Sequence, residues 1–180
     1  HHTHYVIGTG AKDPQKMDPN ASRETLDHSI MYIFAVALLD GRWHHVDSYD
    51  RAKVQNSETI SLWHKISTIE KPYWTDIYHA KDPNRKAFGG KVIITMNDGK
   101  TIEDKIERAN AHPAGARPFK RENYIGKFDM LTKKLIKTEE RNRFIGLVEN
   151  LSNLTPKEVK EINVQVAELS NSTLDTKGIF

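Results

Sequence analysis

The stretch that most limits how this chain folds is "IMYIFAVALL", Ile30 to Leu39, its longest apolar run. Ten residues are too few to cross a membrane, which takes about 18–20. The run suits a buried helix. The longer segment "RETLDHSIMYIFAVALLDG" reads as one helix from about Arg23 to Leu39. Ser22 supplies an N-cap oxygen. Glu24 puts negative charge in the first turn, where the helix dipole favours it. Gly41 marks the stop. The capping box is incomplete, because Thr25 stands where Glu would reach back. Leu26, Ile30, Ile33 and Ala37 share one face, and Met31, Phe34 and Leu38 widen it. A helix that is apolar nearly all round its second half is expected to be buried on most sides.

The clearest β signal is "KVIITMNDGKTIEDKIE", two alternating runs about Asn97-Asp98-Gly99. Such a turn between alternating segments predicts a hairpin. Val92, Ile94 and Met96 face one way, and Ile102 and Ile106 continue the alternation on the return. The first ten residues, "HHTHYVIGTG", are β-branched and aromatic and close on two glycines, so they read as a strand ending in a turn. On spacing alone the three histidines leave a tag remnant, a metal pair and a native polar strand end all open. "SETISLWHKIST" from Ser57 starts a second helix, and "ISTIE" is expected to turn into a strand. Pro72 to Gly90 is a polar stretch with Tyr73, Trp74 and Tyr78. After the loop "ANAHPAGARPF", helical spacing returns with Tyr124, Phe128, Leu131 and Leu135. "RNRFIGLVENLSNL" makes a further helix. Thr155 before Pro156 caps a last one, "TPKEVKEINVQVAELS", ahead of an irregular tail.

Composition excludes several classes. The chain has 180 residues, 37% hydrophobic and 28% charged, which suits one globular domain with an appendage. Its formal charge is +3, with acids and bases interleaved. The densest basic stretch, Arg117, Lys120 and Arg121, is too small for a nucleic-acid footprint. There is no cysteine, so neither disulfides nor a cysteine-held metal or cluster can form. The expectations are therefore no nucleic acid, no membrane and a cytoplasmic location. A mitochondrial matrix would look the same after removal of a leader.

Few residues carry chemistry by spacing. His44 and His45 are adjacent, chelate poorly and suit a turn. His28 follows Asp27 one turn into the apolar helix, where a histidine serves either as a hydrogen-bonded support or as an acid or base. His112 and Arg117 bracket a Gly-Pro loop. That loop can hold an anion, since Arg pairs with carboxylates through two parallel hydrogen bonds, or it can tie a helix end to the sheet. No phosphate-binding glycine loop and no nucleophile elbow is present.

Three stretches say more: "HHTHYVIGTGAKDPQKMDPNASRETLDHSIMYIFAVALLDGRWHHVDSY", "LWHKISTIEKPYWTDIYH" and "AHPAGARPFKRENYIGKF". They closely resemble the MmgE/PrpD family, nearest to its MmgE-type 2-methylcitrate dehydratases. The resemblance runs from His1 to about Phe128. It implies an α+β lid domain over residues 1–117, containing an antiparallel hairpin sheet with helices. Residues 118–180 would be C-terminal helices returning to an all-helical domain absent from this chain, a C-terminal fragment. That would explain apolar helices with little sheet to cover, and it makes "HHTHYVIGTG" native sequence rather than a tag.

The implied reaction is loss of water from 2-methylcitrate to give 2-methyl-aconitate, in the methylcitrate cycle of propionate breakdown. This lyase chemistry needs a base, an acid and groups that hold carboxylates. By the resemblance, Tyr5 matches a tyrosine lining the active site, and His28 falls where relatives carry a histidine. These two are the catalytic candidates. His4, His112 and Arg117 are the candidates for binding the tricarboxylic acid. The family looks metal-free, so the resemblance implies neither a metal nor another cofactor. The remaining groups should come from the missing N-terminal helical domain, so the chain alone is expected to be inactive and the whole protein a homodimer. Two alternatives stand beside this. One is a decarboxylase resembling cis-aconitate decarboxylase, or another family enzyme on a tricarboxylic acid. The other is a non-catalytic binding module, which the spare apolar helices argue against.

Overall fold

Residues 1–166 are described by the structure, a computed structural model. They form an α+β arrangement of short helices and one two-stranded antiparallel sheet. The chain divides into two units, His1–Ala109 and Asn110–Phe180.

The first unit holds α1 (His2–Tyr5), α2 (Arg23–Asp27), α3 (Ile30–Asp40), α4 (Arg51–Val54), α5 (Ser57–Trp63), α6 (Pro72–Tyr78) and the strands β1 (Gly90–Thr95) and β2 (Thr101–Ile106). The single helix expected over Arg23–Leu39 is two helices, because Ser29 breaks it. The Ser29 hydroxyl accepts from the Tyr32 N–H at 3.3 Å and donates to the Lys16 carbonyl at 2.8 Å, both in the interior. It thus acts as a fresh N-cap for α3. The restart turns the buried face. Met31, Tyr32, Ala35 and Val36 are buried, while Ile30 and Ile33 pack at its flank. Leu38 and Leu39, expected to be covered, are exposed. Gly41 ends the helix with φ +64°, the left-handed value that favours glycine.

The core of this unit joins α2 to α5 through Leu26, Met31, Tyr32, Ala35, Val36, Val54 and Trp63. Tyr32 and Trp63 meet edge to face at 5.1 Å. Full burial of a large apolar side chain contributes about 1.5–3 kcal/mol, so these few side chains carry much of the unit's stability. The Tyr32 hydroxyl donates to the Ser48 carbonyl. Burial, with Asp40 nearby, pushes its phenol up to about 12.

The strand expected over His2–Ile7 is instead the single helical turn α1. Its N–H groups bond locally: Tyr5 to the His1 carbonyl at 2.9 Å and Val6 to the His2 carbonyl at 2.9 Å. A strand needs a ladder partner, and among the described residues only β1 and β2 form a ladder. "ISTIE" is likewise not a strand. The polar stretch from Pro72, for which the residue pattern predicted no element, contains α6, with Pro72 in its first turn and Lys71 extended before it. The hairpin forms as its turn predicts, with Gly90 opposite Ile106 and Ile94 opposite Ile102. Gly99 has φ +83°, and the Asp98 carboxylate accepts from the Lys100 N–H at 3.0 Å.

In the second unit, α7 (Arg121–Thr132) and α8 (Thr138–Glu149) pack through stacked Phe128 and Phe144, 5.2 Å apart. Ile136 is buried between them in sequence, yet neither helix contains a buried residue. Tyr124, Leu131, Leu135, Val148 and Leu151 are exposed. The last expected helix shrinks to α9 (Pro156–Val159), capped reciprocally by Thr155 and Glu158. The following backbone is taken by α8. Arg143 donates to the carbonyls of Glu161 at 3.0 Å and Asn163 at 2.9 Å. Glu140 accepts from the Gln165 N–H at 2.8 Å. Those groups are thus spent on side chains and not on a helical ladder. The end of that expected helix and the tail from Asn171 lie outside the described residues. No helix among the described residues is long and apolar enough to cross a membrane.

Candidate active site

The opening segment is folded back on itself by its two glycines. A Cβ on Gly8 would clash with the Thr3 carbonyl and the Thr68 hydroxyl. A Cβ on Gly10 would lie 2.5 Å from His4 Nε2 and 2.7 Å from Cε1. Only glycine lets the His4 ring rest on this backbone. The Ile30 N–H donates to the Ile7 carbonyl at 2.9 Å, fastening the segment to the start of α3.

Thr68, nearly sixty residues away, completes the seat. Its hydroxyl lies 2.8 Å from His4 Nδ1 and accepts from the Thr9 N–H at 3.0 Å. In return the Thr68 N–H donates to the Thr9 hydroxyl at 3.0 Å. Tyr5 then projects beside His4, the rings edge to face at 4.5 Å. Tyr5 is about half exposed, at 47%.

His4 and Tyr5 line an open cleft of about 480 Å³ with Ile69, Glu70, Pro72, Thr75 and Asp76. The Thr75 hydroxyl donates to Glu70 at 2.8 Å. That hydrogen bond holds the Glu70 carboxyl below the usual range, so it is ionised at neutral pH. The cleft therefore offers a phenol and an imidazole, but two carboxylates and no lysine or arginine. On its own it does not neutralise an anionic ligand. Thr68, Glu70, Thr75 and Asp76 escaped the sequence reading. Their one signal was membership of "LWHKISTIEKPYWTDIYH", a stretch that carries the family resemblance without singling out any of the four.

The other candidates lie elsewhere. His28 is exposed at the end of α2, outside this cleft. Its Nδ1 bonds the Glu24 carbonyl at 2.8 Å, which requires a proton on Nδ1 and leaves Nε2 as the basic atom. His112 and Arg117 belong to the second unit. His112 Nδ1 accepts from the Ala114 N–H at 3.0 Å, and the Arg117 N–H closes the loop onto the Asn110 carbonyl at 3.1 Å. Among the described residues the Arg117 guanidinium forms no ion pair. His44 serves the turn expected of it, with Nδ1 accepting from the Asp47 N–H at 3.1 Å. Among the described residues no three histidine, aspartate or glutamate side chains gather as metal ligands.

Comparison with known proteins adds a family. The sequence profile of the MmgE/PrpD C-terminal domain matches residues 1–153. The chain is 32% identical over 99 residues to a probable 2-methylcitrate dehydratase of Saccharomyces cerevisiae, covering 55% of this chain and 18% of that protein. It is 27% identical over 119 residues to the 2-methylcitrate dehydratase of Escherichia coli K12, covering 66% and 24%. The Salmonella typhimurium 2-methylcitrate dehydratase is 28% identical over 121 residues, covering 67% and 24%. The chain thus spans between 18% and 24% of the length of these relatives.

Proposed function

This chain belongs to the MmgE/PrpD family, and from that premise we propose that it supplies the lid side of a hydro-lyase that removes water from 2-methylcitrate. The observation that carries the reading is that the family match spans the cleft in which Tyr5 and His4 stand together. Dehydration needs a proton taken next to a carboxylate and another delivered to the departing hydroxyl. Tyr5 is the group for proton transfer or for a hydrogen bond to a carboxylate, since it lines the cleft and is half exposed. His4 binds a substrate oxygen. His28, with a free basic Nε2, is assigned a catalytic or supporting place near the helix junction.

The substrate carries three carboxylates, whereas the cleft carries Glu70 and Asp76. Charge balance therefore calls for cations from outside it. His112 and Arg117, in the second unit, are kept as candidates for holding a substrate carboxylate on their own loop. We assign the balancing of the cleft to the part of the protein that this chain does not include. The same part is assigned to cover the exposed apolar side chains of the second unit, such as Tyr124, Leu135 and Leu151. In this reading residues 1–117 are the lid and 118–180 return to a helical domain, in a homodimer. The chemistry invokes no cofactor.

The test is a product assay of the intact enzyme on 2-methylcitrate, citrate and cis-aconitate. Formation of an unsaturated tricarboxylate without release of carbon dioxide is the expected result. Carbon dioxide release from cis-aconitate would move the assignment to decarboxylation. No turnover of any of the three by folded protein would leave a binding module.

A further inference from the structure

Thr68 Oγ1 stands at the meeting of three hydrogen bonds: to His4 Nδ1 at 2.8 Å, to the Thr9 N–H at 3.0 Å and to Thr9 Oγ1 at 3.0 Å. Proton counting orders them. The Thr9 N–H has one proton and points it at Thr68 Oγ1. Thr9 Oγ1 already accepts the Thr68 N–H at 3.0 Å, so its own proton must go outward. It has two acceptors to choose from, the Thr68 carbonyl at 3.3 Å and Thr68 Oγ1 at 3.0 Å. Placed on the carbonyl, that proton would let Thr68 Oγ1 donate to Thr9 Oγ1 and accept a proton from His4 Nδ1. At 3.3 Å, however, the carbonyl lies beyond the range of about 2.5–3.0 Å usual for O–H···O bonds, so the Thr9 proton is placed in the 3.0 Å contact. With both its lone pairs taken, Thr68 Oγ1 has one proton left to place, and His4 Nδ1 is the acceptor that remains.

We propose that Thr68 is a positioning residue: with Thr9 it holds His4 as the tautomer protonated at Nε2. The ring then meets the substrate as a hydrogen-bond donor and not as a base. The inference rests on the reading that this cleft takes a carboxylate substrate. Three further constraints act on the same ring. Gly10 lies against it, Tyr5 packs on its edge, and among the described residues Nε2 has no hydrogen-bond partner. An unsatisfied N–H beside a cleft suits a carboxylate or hydroxyl oxygen. The arrangement also separates two histidine roles in this unit. His28 has its proton fixed at Nδ1 and is basic at Nε2, whereas His4 has the reverse polarity.

The test is the nitrogen NMR spectrum of the His4 side chain in the intact protein, at a pH where the ring is neutral. The expected spectrum has a protonated Nε2 and an unprotonated, hydrogen-bonded Nδ1. Thr68→Ser should keep it. Thr68→Val should collapse the separation between the two nitrogens toward a tautomer mixture. A wild-type ring protonated at Nδ1 overturns the proposal even if Thr68→Val does not fold. So does a folded Thr68→Val protein with an unchanged spectrum. Added 2-methylcitrate should shift the Nε2 signal. A fixed tautomer whose Nε2 ignores saturating 2-methylcitrate overturns the donor role and the substrate reading together, and leaves the Thr9–Thr68 clasp standing.

Discussion

Replacing Gly10 by alanine separates the site from the stability of the fold. A methyl there would stand 2.5–2.7 Å from three atoms of the His4 ring, well inside van der Waals contact. The ring is half-buried and at the edge of an open cleft, so it can swing out. Doing so breaks its bond to Thr68 and costs about 1 kcal/mol. Gly10 is not among the residues with positive φ, so alanine brings no backbone strain. It instead lowers the entropy of the unfolded chain and returns about 0.4–1 kcal/mol. The two terms nearly cancel. Gly10→Ala should therefore change Tm by no more than a few degrees while lowering kcat/KM for 2-methylcitrate by about tenfold, through the lost orientation of His4. Thermal melts and steady-state rates on the same preparation check both. A destabilisation of about 3 kcal/mol or more would show that the ring cannot move aside. Full activity would show that the placement of His4 does not matter.

Other outcomes follow from particular contacts. Ser29→Ala removes the cap of α3 and strands the buried Lys16 carbonyl. It should cost about 2–3 kcal/mol, read as a lower urea midpoint at an unchanged slope. Tyr32 titrates near 12 in the folded protein and at 10.0 unperturbed. Its contribution is complete below pH 10 and lost as pH rises from 10 toward 12, and Tyr32→Phe should flatten that alkaline decline. Glu140 is pulled down to about 2 by its paired bonds to Arg143 and the Gln165 N–H. Its contribution is present above pH 4.5 and fades as pH falls toward 2. Glu140→Gln should abolish that acid dependence, and it should speed amide exchange at Gln165.

What could be read from the chain beforehand tracks how local each cause is. The hairpin turn, the Gly41 stop and the Ser22 and Thr155 caps depend on residues within four positions of one another, and each forms as its spacing predicts. The break at Ser29 depends on Lys16, thirteen residues back, so the pattern Leu26–Ile30–Ile33 suggested one continuous helix. "HTHYVI" has strand composition, but composition does not supply a partner strand. Its helical turn is stabilised by the close approach of Gly8 and Gly10 to Thr3, His4 and Thr68. The site divides in the same way. Tyr5 stood out by its match to a family tyrosine, and His4 by its residue type within the histidine-rich opening. Thr68, Glu70, Thr75 and Asp76 join them only through contacts across some sixty residues of sequence, which no periodicity records.

The most direct measurement of the central claim, that the His4–Tyr5 cleft faces the reacting substrate, is the rate of Tyr5→Phe. The assay follows the absorbance of the conjugated product in the intact enzyme. Phenylalanine keeps the ring against His4 and removes only the hydroxyl. If the phenol takes part in proton transfer, kcat falls by about 100-fold or more while KM and Tm stay close to those of the parent. A Tyr5→Phe enzyme with parental kcat and KM would contradict the account and place the chemistry away from this cleft.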